Sequence, residues 1–155
     1  MKKKARIAVT RKLPAAVETQ LGKLFDPKFN LDDMPFSEPQ LIRAVNWADI
    51  LVPTVTDQVN TKVINAAGPN LKLIANFGVG VNHIDLKAAE AKGIQVSNTP
   101  DVLTEDTADL AIVLIIMASR RLGEGERMVR AGDWTGWTPT QLMGNRVSGR
   151  SLGII

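Results

Sequence analysis

Five short apolar runs, separated by stretches with helix signals, leave few folds open to this chain. Residues 6–9 read as a buried strand, and Pro14 sits where the first turn of a helix running to about Phe25 accepts it. Residues 28–31 form a weaker strand pattern. Ser37 stands as the N-cap of a helix through Trp47, and residues 49–52 make an apolar strand that ends at Pro53. A helix over residues 60–67 is closed by Gly68-Pro69, a strand follows over 71–75, a helix over 85–92 stops at Gly93, and the last strand covers 94–97. Alternating β and α elements predict a parallel sheet covered on both faces, with right-handed crossovers. The expected fold is α/β, a flavodoxin-like doubly wound five-stranded sheet in the order 2-1-3-4-5.

Two functions of such a sheet fail on the residues. A phospho-acceptor receiver needs acidic residues after its first strand and an aspartate ending its third; the chain has Thr10-Arg11-Lys12 and Val52-Pro53-Thr54. A flavin site needs a hydroxyl-rich and glycine-rich loop after strand one, and Arg11-Lys12-Leu13-Pro14 is not that.

Composition excludes further classes. With 155 residues, 45% of them hydrophobic and mean hydropathy near zero, the chain can bury a core of its own. It has no cysteine, so disulfides and thiolate metal sites are out, and its one histidine argues against a histidine-rich metal centre. A cytoplasmic, reducing setting is the expectation. The net charge of +3 owes part of its excess to Lys2-Lys3-Lys4, and scattered arginines without any tyrosine do not make a nucleic-acid surface. No membrane span is expected, because the most apolar run, residues 110–118, has about half the necessary length. The lysine-rich start leads into a strand and not into the apolar stretch of a signal peptide.

The chemically suggestive segment is Asn76-Phe-Gly-Val-Gly-Val-Asn-His-Ile-Asp85, which sets two glycines between a strand and a helix. Gly78 and Gly80 are expected to use positive φ to turn successive N–H groups toward one small anion, helped by the positive end of the following helix. A tight turn without a ligand is the plainer alternative. A dinucleotide fingerprint requires a third glycine, and His83 stands there, so a carboxylate fits better than a pyrophosphate.

Beyond Asn98-Thr99-Pro100 the texture changes. Thr104 is expected to cap a helix whose first turns carry Glu105, Asp106 and Asp109 and whose end carries Arg120 and Arg121. Apolar residues on nearly all its faces predict that it is sandwiched between two bodies. Residues 123–131 continue as a polar helix, and 132–139 form an irregular arm with Trp134 and Trp137, side chains that a second subunit is expected to bury.

These segments together are familiar. Residues 71–85, 93–110 and 120–127, with Gly132-Asp-Trp134, resemble the N-terminal part of the D-isomer-specific 2-hydroxyacid dehydrogenases, particularly the glyoxylate/hydroxypyruvate reductases. The resemblance implies a substrate domain over residues 1–102, a linking helix and dimerisation arm over 103–148, and the first strand of an NAD- or NADP-binding Rossmann domain over 149–155. It implies that the amides of Val79 and Gly80 hold the carboxylate of a small 2-oxo acid, that Asn76 shapes their loop, and that Val55 lies near the substrate. Leu103 and Thr107 would line the nicotinamide end of the cofactor, and a homodimer would form through residues 104–145. The family's acid histidine, its arginine and its glycine-rich cofactor loop correspond to nothing in these residues, so no catalytic residue is assigned here and the chain alone is expected to be inactive. Whether NAD or NADP serves is not legible. A second expectation, of another class, is a non-catalytic module that self-associates through the apolar helix.

Overall fold

The computed structural model describes residues 4–154; Met1, Lys2, Lys3 and Ile155 lie outside them. The chain divides into two compact units, residues 1–102 and 103–155.

The first unit holds β1 (Arg6–Val9), α1 (Ala15–Leu24), β2 (Asp26–Lys28), α2 (Glu38–Trp47), β3 (Ile50–Val52), α3 (Thr61–Asn65), β4 (Leu73–Ala75), α4 (Leu86–Ala91) and β5 (Gln95–Ser97). Its strands form one sheet in the order β2-β1-β3-β4-β5, parallel at every pairing. Because side chains alternate along a strand, β1 and β3 divide their residues between two cores. Ala8 and Leu51 join Leu41, Val45, Val63, Ile64, Ile74 and Ala89 in the larger core, built with α2, α3 and α4. Ile7 and Val9 face the other way with Leu13, against the partly buried Leu21, Phe25, Ile50 and Val52.

Local signals explain the element ends. At the start of α2, Gln40 Oε1 accepts hydrogen bonds from the N–H and hydroxyl of Ser37, which satisfies a donor the helix cannot reach. Asn60 caps α3 by accepting from the Val63 N–H at 3.0 Å. After α4, Gly93 takes φ 67° and donates to Glu90, while Ile94 donates to Ala89. These two bonds close the helix in a Schellman motif and send the chain into β5.

One strand differs from its expected place. β2 lies at 26–28 and not at 28–31, because Asp26 donates to Ala5 at 2.9 Å and the register pairs Arg6 with Asp26 and Ala8 with Lys28. Pro27 is tolerated there since β2 is an edge strand. The apolar pattern of 28–31 misleads: Phe29 packs on the smaller core from a loop, and Leu31 is 81% exposed.

The second unit holds α5 (Thr104–Arg120) and α6 (Leu122–Ala131). Thr104 is the first helical residue and Leu103 occupies the cap position without a side-chain bond, so the expected threonine cap is absent. The helices are hinged at Arg121, whose φ of 56° is left-handed. The arm returns to the end of α5, where Asn145 donates to Ser119 O at 2.7 Å and a Cβ on Gly144 would meet that same oxygen at 2.7 Å. Only glycine permits that approach. Residues 150–154 have no regular structure, against the expectation of a strand; a strand forms by pairing, and the second unit holds no strand among its described residues. No helix among the described residues is long and apolar enough to cross a membrane.

Candidate functional site

The loops after β3 and β4 are joined at the carboxyl edge of the sheet. Thr54 and Phe77 form a parallel bridge, and the Phe77 N–H donates to Pro53 O at 2.9 Å. Bonded to Thr54 of this bridge is Asp57, 1% exposed. Its Oδ2 accepts from the Thr10 hydroxyl at 2.6 Å and the Thr54 N–H at 2.8 Å, and its own N–H donates to Thr54 O at 3.0 Å. Those bonds tie the ends of β1 and β3 and fix the turn that carries Val55.

Val55 reaches across to Gly78. A Cβ built on Gly78 would stand 2.9 Å from Val55 Cγ1 and 3.4 Å from Asn76 Nδ2, so this glycine serves close approach. The expected positive φ is not found at Gly78 or Gly80; the positive-φ glycines are Gly93, Gly132, Gly136 and Gly149. A Cβ on Gly80 would enter open space.

Peptide orientation in the loop comes instead from its carbonyls. Asn76, 2% exposed, donates through Nδ2 to Gly78 O at 3.0 Å and to Gly80 O at 2.9 Å. Asn98 Nδ2 donates to Val79 O at 2.8 Å, and the Thr99 N–H donates to Gly78 O at 3.1 Å. Every peptide bond here is trans, so the N–H of each following residue points opposite to the tethered carbonyl. The N–H groups of Val79, Gly80 and Val81 are thereby turned away from the asparagines, and among the described residues none has an acceptor.

The His83 ring is half-buried, with Nε2 3.0 Å from Asn76 Oδ1. Burial holds its imidazole below the ordinary value of 6.5, and the Asp57 carboxylate opposes that shift. The positive end of α4 does not serve the glycine loop, because Asp85 already occupies it: its side chain accepts from the Ala88 N–H at 3.0 Å. Bonds from Thr61 and Ala88 hold the Asp85 carboxyl below its usual range, as suits a charged cap.

Val55, Asn76, Gly78, Val79 and Gly80 therefore meet in one place within the first unit. Leu103 and Thr107 belong to the second unit, at the first turn of α5, where the Thr107 N–H donates to Leu103 O at 3.0 Å. A hollow of about 350 Å³ bounded by Lys28, Phe29, Arg43 and Trp47 lies at the β2 edge, across the sheet from the glycine loop, and Lys28 Nζ already sits 3.9 Å from the Trp47 ring centroid. The parts that sequence reasoning did not find are Asp57, Thr10, His83 and Asn98. Thr10, Asp57 and Asn98 act on residues distant in sequence, and His83, though it stands in the same run as Asn76, meets it through a loop path that no local spacing marks.

Residues 7–148 match the sequence profile of the D-isomer specific 2-hydroxyacid dehydrogenase catalytic domain. The chain belongs to this family. A glyoxylate reductase of Korarchaeum cryptofilum is 40% identical to it over 153 residues, which are 98% of this chain and 46% of that protein. Human glyoxylate reductase/hydroxypyruvate reductase is 37% identical over 152 residues, 97% of this chain and 46% of that protein. The crystal structure of an NADPH-dependent glyoxylate/hydroxypyruvate reductase from Sinorhizobium meliloti, in complex with NADP and malonate, superposes with a TM-score of 0.70. It is 31% identical, and the match covers 85% of this dehydrogenase-family chain and 40% of the other. The chain spans about half the length of the curated relatives it matches.

Proposed function

We propose that this chain supplies the substrate-binding part of a reductase that converts a small 2-oxo acid, such as glyoxylate or hydroxypyruvate, to its D-2-hydroxy acid with NADH or NADPH. The supporting observation is the set of acceptor-free amides at Val79, Gly80 and Val81, fixed in direction by tethered carbonyls. Amides held outward before a ligand arrives suit a carboxylate, since an anion on unpaired N–H groups forms charge-assisted bonds. In this reading Val79 and Gly80 hold the carboxylate and Val55 limits the space beside it. Asn76 acts through the loop, its two amide hydrogens being already committed.

Hydride would come from the nicotinamide cofactor. Neither G-x-G run of this sequence is completed by a third glycine: His83 follows one and Met128 the other. The 155 residues thus offer no dinucleotide loop, and no cofactor step is assigned to them. Leu103 and Thr107 are proposed to line the nicotinamide end of the cofactor when it is held by another domain. The test is oxidation of NADPH and NADH in the presence of glyoxylate or hydroxypyruvate, by a protein carrying this chain together with a cofactor domain and by the 155 residues alone. Turnover is expected of the first only; its absence with every small 2-oxo acid would reject the reading.

A second reading, self-association into a homodimer through residues 104–145, is favoured by α5. That helix has no buried residue, and Leu110, Ile112, Val113 and Leu114 are exposed along it. Trp134 and Trp137, the latter 82% exposed, extend the apolar surface of the same unit.

A further inference from the structure

The side chain of Asn76 has only one orientation that satisfies its surroundings. Its Nδ2 faces two carbonyl oxygens, those of Gly78 and Gly80, and uses one hydrogen on each. Turning the carboxamide over would set Oδ1 against both oxygens, acceptor against acceptor. Oδ1 therefore faces His83, and the 3.0 Å contact to Nε2 is a bond only if Nε2 carries the hydrogen. The neutral ring is thus the Nε2–H tautomer. Donation from Nε2–H to Oδ1 polarises the carboxamide and strengthens its two N–H···O bonds.

From this chain of contacts we propose that His83 is a positioning residue: through Asn76 it holds the Gly78 and Gly80 carbonyls inward, and so keeps the Val79 N–H turned to the incoming carboxylate and the peptides on either side of the Gly80 amide fixed. The proposal deepens, and rests on, the reading of the loop as a carboxylate site. His83 touches no substrate in this scheme. It works at two removes, as donor to Asn76, which is donor to the loop. Asn98 supports the intervening peptide separately, through Val79 O.

The experiment uses the ¹⁵N-labelled 155-residue chain, titrated with oxalate as the probe, in the wild type and in H83L, H83Q and N76D. In the wild type, saturable shifts are expected at the amides of Val79, Gly80 and Val81, and the His83 ring spectrum should show hydrogen on Nε2. H83L removes the donor and is expected to weaken oxalate binding by about three- to tenfold, the worth of one neutral hydrogen bond. H83Q, whose side-chain N–H can stand where Nε2 stood, should restore most of that loss. N76D places carboxylate oxygen against the two carbonyls and should abolish the response. Thermal melts of each variant separate loss of folding from loss of binding. Oxalate binding by H83L equal to wild type, or a loss that H83Q does not recover at equal stability, overturns the proposal. A wild-type chain with no oxalate response sinks the carboxylate reading instead; the brace is then judged by the ring tautomer and by whether H83L moves the loop amides, and unmoved amides reject it.

Discussion

Two glycines two residues apart do different work in this loop, and substitution tells them apart. Gly78→Ala drives a methyl to 2.9 Å from Val55 Cγ1, and the expected cost is about 1–3 kcal/mol of stability from overpacking. Val55→Ala in the same chain should return much of it. Gly80→Ala meets nothing within 4 Å, and its stability should stay within about 0.5 kcal/mol of wild type. Its oxalate affinity should nevertheless drop, because the methyl enters the space the carboxylate is proposed to use. Thermal melts paired with oxalate titration read both effects. The chain's one histidine gives a pH test at the same scale. His83 gains its proton at lower pH when folded than when unfolded, since burial disfavours the charged ring. In the window below 6.5 the unfolded chain then holds more protons, so stability is full above that window and falls as the pH drops through it. Urea melts between about pH 7.5 and about pH 5.5 should show this slope, and H83Q should remove its histidine share. A wild-type slope unchanged in H83Q would contradict the assignment.

At the scale of elements, signals that act over three or four residues were legible and those that act across the sheet were not. Ser37 with Gln40, Asn60 with Val63, and Gly93 after α4 all announce helix ends by local chemistry, and the helices start and stop beside them. Asn60→Ala should accordingly cost about 1 kcal/mol in a thermal or urea melt, the usual worth of a cap. The sheet order was legible for a related reason: β/α alternation restricts the crossovers to few arrangements. Register at the edge was not, because β2 is positioned by what Ala5 and Arg6 offer it and not by its own apolar pattern. The candidate site divides in the same way. Its glycines and Asn76 stand in one visible run, whereas Thr10 and Asp57 meet across 47 positions and His83 reaches back to Asn76 across a loop whose path no spacing announces. The expected left-handed glycines are absent, and side-chain tethers set the peptide directions here.

For the whole chain, two compact units carry different surfaces. The first has a core on either face of its sheet. The second exposes Leu110, Ile112, Val113, Leu114 and Trp137, more apolar surface than isolated side chains account for. Sedimentation at micromolar concentration should find dimers or larger species, and Leu110→Lys with Leu114→Lys should shift them to monomer without disturbing the first unit; a wild-type monomer would end that reading. The sheet itself has a consequence for how the molecule comes into being. All its neighbouring strands run in one direction, so no hairpin can seed it, and each pairing must wait for the chain to travel out through a helix or loop and back. Interior β1, which bonds to both β2 and β3, is the first strand to be made, yet it gains neither neighbour until later segments have been synthesised. Refolding is therefore governed by distant encounters, and in the nascent chain β1 keeps one apolar edge unpaired until β3 arrives.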